Sequence, residues 1–263
     1  MAETDFAKPV SPVRGTADAP SAVSLSIVVP VYNEAGNVLP LVAEIIAAME
    51  GGVPYEILLV DDGSSDSGVQ EMTEARERWP NIRVVTHTGR AGKSAALFTA
   101  GLVARGAWLQ TLDGDGQNDP KDVMRAWNAV NGPNAPRNVG ILAGQRTSRN
   151  DGSFKWLQSR IANGIRRFAL NDGTRDTGCG FKLIRAEAFR TMPFFDGMHR
   201  FLPALARRAG YEVMEFPVVD RPRTAGASKY GFLGRLGAGI VDLLGVIWLV
   251  RRSSFPPGRK GDL

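Results

Sequence analysis

The feature that most constrains the fold is a regular alternation of apolar, β-rich runs with stretches of helical periodicity. The first run, 25–31, is rich in valine, and the stretch 37–50 after it places Leu41 and Ile45 on one helical face. The pattern then repeats: predicted strands 55–60, 82–86 and 107–112 precede helices capped near Asp66, spanning 93–104 and beginning near Pro120. Such alternation indicates right-handed βαβ units, a mostly parallel sheet and ligands at the carboxyl ends of its strands.

Beyond this alternation, two more strands are predicted at 139–143 and 213–218, and an arginine-rich stretch between them shows no domain boundary. We therefore expect a single α/β domain over 24–235. The segment 1–23 contains three prolines and no apolar run, which predicts a flexible tail. The remainder, 236–263, is predicted as an apolar C-terminal helix followed by a basic tail.

The C-terminal apolar stretch, 236–250, has two interpretations. It is shorter than the roughly 20 residues needed to cross a bilayer, and Asp242 and three glycines interrupt it. It can be a buried helix of the core. With Arg235 on one side and Arg251 and Arg252 on the other, it can equally lie in a membrane interface beside anionic headgroups.

The composition indicates which class of ligand the chain binds and in which compartment it lies. The formal charge is +5 and the sequence pI is about 9.6, which favours an anionic ligand or surface. The excess is too small to indicate a nucleic-acid-binding protein. Cys179 is the only cysteine of the 263 residues, so no internal disulfide or cysteine-rich zinc site is expected, and a reducing, cytoplasmic compartment is predicted.

The sharpest chemical signal is the pair Asp113 and Asp115, separated by glycine at the end of an apolar strand. Two carboxylates so spaced can direct oxygens at one hard cation, Mg²⁺ or Mn²⁺, and Gln117 can add a neutral oxygen. Such a cation keeps positions open for phosphate, so the motif suits a clamp on a diphosphate leaving group. The alternative is a simple Asp/Gly turn.

The segment 87–94 resembles a phosphate-binding P-loop between a strand and a helix, but His87 occupies the position where that motif has glycine. A nucleotide hydrolase therefore remains an alternative. His87 and His199 are far apart and lack a metal-binding spacing, so both are predicted as surface or packing residues. Cys179, between two glycines, is predicted to be a small packed residue.

Taken in order, six motifs resemble glycosyltransferase family 2, and most closely its polyprenyl-phosphate sugar transferases of the dolichol-phosphate mannose synthase type. The resemblance covers about 24–250. The motifs are Val-Pro-Val-Tyr-Asn-Glu at 29–34, Glu-Ile-Leu-Leu-Val-Asp-Asp-Gly-Ser-Ser-Asp at 56–66, the segment 89–101, Asp-Gly-Asp-Gly-Gln at 113–117, Asp-Thr-Gly-Cys-Gly-Phe at 176–181 and Ala-Gly-Ala-Ser-Lys-Tyr at 225–230.

The resemblance implies a GT-A fold and a set of site residues. For the metal it implies Asp113, Asp115 and Gln117, and for the acceptor phosphate Arg146 and Arg160. Asp176 stands where relatives that glycosylate a hydroxyl keep a base, and here it is expected to orient an arginine or the sugar. The residues implied for donor binding are Pro30, Tyr32, Glu34, Val60, Asp62, Lys93, Gly114, Arg223, Ser228 and Lys229, of which the last three belong to a mobile loop over the diphosphate.

A lipid phosphate is already an anion near neutral pH, so the acceptor needs charge neutralisation more than a base. The sequence thus predicts a metal-dependent inverting transferase that moves a mannose- or glucose-like hexose from a GDP- or UDP-sugar to polyprenyl phosphate, with Asp113, Asp115, Arg146 and Asp176 as its catalytic residues. It is expected to lie peripherally on the cytoplasmic face of a membrane. The alternatives are a family 2 transferase with a sugar or other hydroxyl acceptor, the nucleotide hydrolase, and a non-catalytic sensor of nucleotide sugars.

Overall fold

The computed structural model describes residues 23–136, 138–147, 164, 166–167, 169–221 and 232–252, with side chains of the last helix described from Gly239 onward. Strands and helices alternate along most of this length. The strands are β1 (Leu25–Val31), β2 (Tyr55–Asp61), β3 (Ile82–Thr86), β4 (Trp108–Thr111), β5 (Val139–Arg146), β6 (Lys182–Arg185) and β7 (Glu212–Val218). The main helices are α1 (Val38–Ala48), α2 (Gly68–Arg78), α3 (Lys93–Val103), α4 (Lys121–Asn131), α5 (Ala186–Arg190), α6 (Leu202–Arg208) and α7 (Phe232–Arg251), and a 3₁₀ turn spans Met198–Arg200.

The seven strands form one sheet in the order β3-β2-β1-β4-β6-β5-β7. Four of the six pairings are parallel, so the predicted mostly parallel α/β fold is confirmed. The exception is β6, which runs antiparallel to both β4 and β5. The sequence analysis missed β6, because four residues with a charge at each end give neither an apolar run nor a clear alternation.

The core lies on both faces of the sheet, because successive side chains of a strand point to opposite sides. On one face Ile27 and Val29 of β1 pack with Ile45 of α1. On the other face Val28 packs with Leu58 and with helices α3 and α6. This two-sided burial explains why β1 and β2 are mostly apolar on both faces and were predictable from the sequence.

The C-terminal helix α7 is longer at both ends than predicted. Leu243 and Val246 pack against the core on the α3 side of the sheet. The helix is also held by an ion pair between Arg200 and Asp242, with N···O 2.7 Å. Its other side carries exposed apolar residues, so the interpretation as a core helix holds for one face, and the membrane interface stays a prediction for the other. Within the described ranges, no helix combines the length and apolar character that a membrane span requires.

Candidate active site

The carboxyl ends of β1, β2 and β4 meet at one edge of the sheet around a cavity of about 220 Å³. This is the edge at which parallel α/β sheets bind ligands. The residues that line it are Pro30, Val31, Tyr32, Glu34, Asp62, Lys93, Ala96, Asp113, Gly114 and Asp115. Among the described donor residues expected from the sequence, Val60 alone is not in this lining, since it is fully buried in the core.

One wall of the cavity is formed by the loop after β1. The Arg90 guanidinium stacks over the Tyr32 ring at 4.4 Å from its centroid, and Asn37 donates a hydrogen bond of 3.0 Å to Glu34. Gly114 approaches this wall so closely that a Cβ there would lie 2.9 Å from the carbonyl oxygen of Pro30. A side chain at this position would therefore push apart the two loops that define the cavity.

Asp62 binds the backbone of the segment 87–94, which resembles a P-loop in sequence. Its carboxylate accepts hydrogen bonds from the backbone N–H groups of Ala91 and Gly92 at 2.8 and 2.7 Å, and His87 Nδ1 lies 2.9 Å from it. A P-loop directs such backbone N–H groups at a phosphate, whereas here they donate to the Asp62 carboxylate. The structure therefore argues against the nucleotide-hydrolase alternative. His87 Nε2 also lies 2.9 Å from Thr99 Oγ1, in agreement with a packing role.

Asp113 and Asp115 follow β4 and face the cavity together. The Asp113 carboxylate forms an ion pair with Lys93. Burial opposes its ionisation, but the Lys93 ammonium outweighs burial and holds the pKa of Asp113 below its usual value. Asp113 is therefore charged at neutral pH.

The two carboxylates fit a hard divalent cation. Both offer oxygen atoms to one cavity, and Mg²⁺ and Mn²⁺ commonly bind one or two carboxylates together with water and substrate phosphates. In the part of the chain that the structure describes, no group of three or more histidine, cysteine or acidic side chains is arranged so that it could hold a metal ion. Gln117 is not in the cavity lining, and its amide nitrogen lies 3.5 Å from the carbonyl oxygen of Arg221. Its role as a ligand stays a prediction.

The Asp113 loop is tied to the chain that follows β7. Asn118 accepts a 2.9 Å hydrogen bond from the backbone N–H of Asp113, and its amide donates to Asp220 at 3.3 Å. The backbone N–H of Arg221 donates to Gln117 at 2.8 Å. The predicted diphosphate loop begins just after this point, but Arg223, Ser228 and Lys229 lie outside the described residues, as does Arg160.

Beside this loop, Arg146 is held by two acidic residues. Its guanidinium donates to both carboxylate oxygens of Asp176, at 2.6 and 3.0 Å, and to Asp220 at 3.4 Å. Burial acts against the charge, yet Asp176 and Asp220 raise the pKa of Arg146 above its usual value. Burial also raises the pKa of Asp220. The bidentate pair fixes the plane of the guanidinium, which agrees with the expectation that Asp176 orients an arginine.

Behind Lys93, the imidazole of His199 lies 2.8 Å from the hydroxyl of buried Ser94. Burial, reinforced by the positive charges of Lys93 and Lys182, lowers the pKa of His199 well below 6.5. His199 is therefore a neutral packing residue beside the site, in agreement with the sequence analysis.

This depressed pKa predicts acid-sensitive stability. Below about pH 6.5 the unfolded chain binds a proton at His199 that the folded chain does not bind. The free energy of unfolding should fall as pH decreases, by at most about 1.4 kcal/mol per pH unit from this group. Urea unfolding between pH 7.5 and 5.5 measures the slope, and His199→Gln should flatten it. An identical slope in the variant would contradict the assignment.

With the geometry established, comparison with known proteins identifies the family. Residues 26–192 match the sequence model described as Glycosyl transferase family 2. The chain belongs to glycosyltransferase family 2. Asp113, Asp115, Arg146 and Asp176 all fall inside the matched region of this family 2 enzyme.

Curated relatives of this family 2 chain act on polyprenyl phosphates, according to their names. It is 35% identical over 261 residues to the dodecaprenyl-phosphate galacturonate synthase of Rhizobium johnstonii. The alignment covers 97% of this chain and 75% of that protein. It is 32% identical over 212 residues to the undecaprenyl-phosphate 4-deoxy-4-formamido-L-arabinose transferase of Edwardsiella ictaluri, covering 80% of this chain and 63% of that protein.

Solved structures confirm the GT-A fold of this family 2 chain. Glucosyl-3-phosphoglycerate synthase from Mycobacterium tuberculosis, crystallised with Mn²⁺, UDP and glucosyl-3-phosphoglycerate, superposes with a TM-score of 0.63 at 15% identity, covering 87% of this chain and 80% of that one. Mannosyl-3-phosphoglycerate synthase from Rubrobacter xylanophilus gives 0.62 at 19% identity, covering 90% and 78%. At these identities the likeness concerns the fold.

Proposed function

We propose that this enzyme transfers a sugar from a nucleoside diphosphate donor to a polyprenyl phosphate, with inversion at the anomeric carbon. The observation that carries the proposal is the bidentate pair between Arg146 and Asp176 near the Asp113 loop. It fixes the orientation of a guanidinium, which supports an anionic acceptor, and it engages both oxygens of the carboxylate that would otherwise act as a base. The names of the curated relatives support the same acceptor class.

The donor is proposed to occupy the cavity lined by Tyr32, Glu34 and Asp62, with its diphosphate toward Asp113 and Asp115. Those two carboxylates would hold Mg²⁺ or Mn²⁺, which when bound neutralises the charge of the departing diphosphate. Lys93, which pairs with Asp113, lines the same cavity and supplies a cation from the protein itself. The donor sugar is proposed to be a hexose, with the galacturonate and formamido-arabinose in the relatives' names as further candidates.

A phosphate acceptor also explains how attack can proceed without deprotonation. The acceptor oxygen is already anionic near neutral pH, so the protein must offset repulsion between the acceptor and donor phosphates. On the acceptor side this role is proposed for Arg146, which pairs with Asp176 and Asp220, with Arg160 as the second proposed residue. Displacement in line with the leaving diphosphate gives a β-linked product from an α-linked donor.

Purified enzyme with Mn²⁺ or Mg²⁺, labelled sugar nucleotides and short-chain polyprenyl phosphate tests the proposal. The donor panel contains GDP- and UDP-linked hexoses, a UDP-hexuronate and a UDP-formamido-pentose. We expect label from one donor to enter the organic phase only when metal is present. Tight donor binding without lipid labelling would contradict the polyprenyl-phosphate acceptor. It would favour the alternatives with a hydroxyl acceptor or a sensor role. A test of transfer to glycosides distinguishes these two, because only the hydroxyl-acceptor enzyme would transfer sugar.

We further propose that α7 lies against the membrane surface. Ile240, Leu244 and Trp248 are spaced four residues apart along one exposed face, and Arg251 and Arg252 are exposed at its end. Apolar side chains that enter the acyl boundary beside arginines suit anionic headgroups. This placement would bring the proposed donor cavity to a lipid-embedded acceptor.

The membrane proposal predicts a specific loss of vesicle binding. Replacing Leu244 and Trp248, each 62% exposed, by glutamate should weaken cosedimentation with anionic vesicles roughly tenfold or more, because two apolar contacts are lost and negative charge is added. Leu102→Glu on α3, at a residue 65% exposed, is the matched control and should bind as wild type does. Equal binding by both variants would contradict the proposal, as would a wild type that dimerises through this face and ignores vesicles.

A further inference from the structure

Lys182 is a buried cation that neither the sequence motifs nor the proposed mechanism uses. It is the first residue of β6, between Thr111 of β4 and Ala143 of β5, and its side chain is 4% exposed overall. Its ammonium donates hydrogen bonds to the carbonyl oxygens of Thr177, at 3.2 Å, and Cys179. Both acceptors belong to the loop 176–180, which leads into β6.

This loop carries a contact to each half of the site. At its start, the side chain of Asp176 holds the Arg146 guanidinium. At its end, Gly180 lies against Asp113 so closely that a Cβ there would meet the carboxyl group at 2.3 Å. The carbonyl oxygen of Gly180 also accepts a 2.5 Å hydrogen bond from Thr111 Oγ1. The loop therefore spans the distance between the proposed acceptor cation and the proposed metal carboxylate.

We infer that Lys182 is a positioning residue, whose ammonium fixes the loop 176–180 and so sets the placement of Arg146 relative to Asp113. This inference rests on the proposed function, because it assigns the acceptor and donor phosphates to those two residues. Lys182 acts through the loop and touches neither substrate. An in-line transfer is sensitive to this placement, since small displacements of the reacting groups cost much of the rate.

The chemistry of the contact explains why a lysine is needed. Thr177 and Cys179 are both buried, and a buried carbonyl oxygen is costly to leave without a hydrogen-bond donor. An ammonium offers three donors on a flexible stem and can serve both oxygens from the neighbouring strand. Burial lowers the pKa of Lys182 to about 8, so the charge is kept at a cost that these acceptors offset.

Lys182→Met tests the inference, because methionine fills nearly the same volume and donates no hydrogen bond. We expect kcat for lipid transfer to fall about tenfold to a hundredfold, with the KM for the sugar nucleotide within about threefold of wild type. Lys182→Arg still offers N–H donors for the carbonyl oxygens of Thr177 and Cys179, so it should keep much of kcat. Lys121→Met, at an exposed lysine of α4, is the matched control and should be silent.

Hydrogen exchange separates this inference from the proposed function. In the absence of substrate, amides of 174–181 should exchange about tenfold faster in Lys182→Met than in wild type, while those of β1 stay unchanged. If wild type transfers no sugar to lipid, the proposed function fails and the positioning role fails with it, even though the exchange result still reports whether Lys182 holds the loop.

With an active wild type, unchanged exchange or an unchanged kcat in Lys182→Met would overturn the inference. A fall in donor affinity equal to the fall in kcat would overturn it as well, because a loop that only aligns the two halves leaves donor binding intact. If Lys182→Met does not fold, Lys182→Arg provides the test. A folded Lys182→Arg variant that keeps slow exchange in the loop and most of kcat supports the positioning role. A folded variant that keeps slow exchange in the loop but loses kcat contradicts it.

Discussion

Asp115→Asn is expected to reduce sugar transfer about a thousandfold while leaving the fold intact. The side chain is 8% exposed at the cavity wall and is one of two carboxylates facing the proposed diphosphate site. Asparagine keeps the shape and one carbonyl oxygen but removes the negative charge that attracts a divalent cation. The loss of charge stabilisation in the transition state is worth several kcal/mol, which corresponds to this change in rate.

The measurement is a metal titration of the transfer rate, with thermal unfolding recorded for each variant. Asp122→Asn is the matched control, because Asp122 is also buried but pairs with Arg125 and lies on α4, outside the cavity lining. It should keep its rate and its metal dependence. If Asp115→Asn transferred sugar at the wild-type rate, with the same response to Mn²⁺, the assignment of the cation to this loop would be wrong.

Arg146→Lys should lower kcat about a hundredfold and raise the KM for polyprenyl phosphate, with the KM for the donor little changed. Lysine preserves the positive charge but cannot donate to both oxygens of Asp176 in one plane. The buried carboxylate of Asp176 and the partly buried carboxylate of Asp220 would then each lose hydrogen bonds. The expected defect is therefore one of orientation, expressed in the step that uses the acceptor.

Arg175→Lys provides the comparison for this prediction. Arg175 also pairs with a carboxylate, Glu215, at 2.9 Å, but it is solvent-exposed and away from the cavity. Such pairs contribute little, so its substitution should leave kinetics and stability close to wild type. A donor KM that rises in Arg146→Lys while the acceptor KM stays constant would place Arg146 on the donor side instead.

The parallel half of the fold was predictable because local sequence determines it. Strands β1 and β2 are mostly apolar, and the glycines and acidic residues after them mark the turns into α1 and α2. Strand β6 was missed for the opposite reason. Its four residues become a strand through pairing with β4 and β5, which are distant in sequence, and no local pattern records such contacts.

Some residues of the candidate site were likewise predictable from the sequence, and others were not. Asp113 and Asp115 could be found from their spacing, and the resemblance to family 2 added Arg146 and Asp176. The residues that hold these groups could not be found. Asn118 meets Asp220 across 102 positions, and Lys182 reaches backbone carbonyls rather than a side chain, so neither contact leaves a motif.

The antiparallel strand β6 has a consequence for the order in which the molecule is assembled. The pairing of Trp108 with Arg185 closes a loop of more than seventy residues, whereas the first four strands are joined by short βαβ crossovers. Closing long loops slows folding, and domains form progressively as the chain leaves the ribosome. The part of the sheet formed by β1 to β4 is thus expected to form from local contacts early in synthesis. The contact between Asp176 and Arg146 is expected to follow, once β6 has been inserted between β4 and β5.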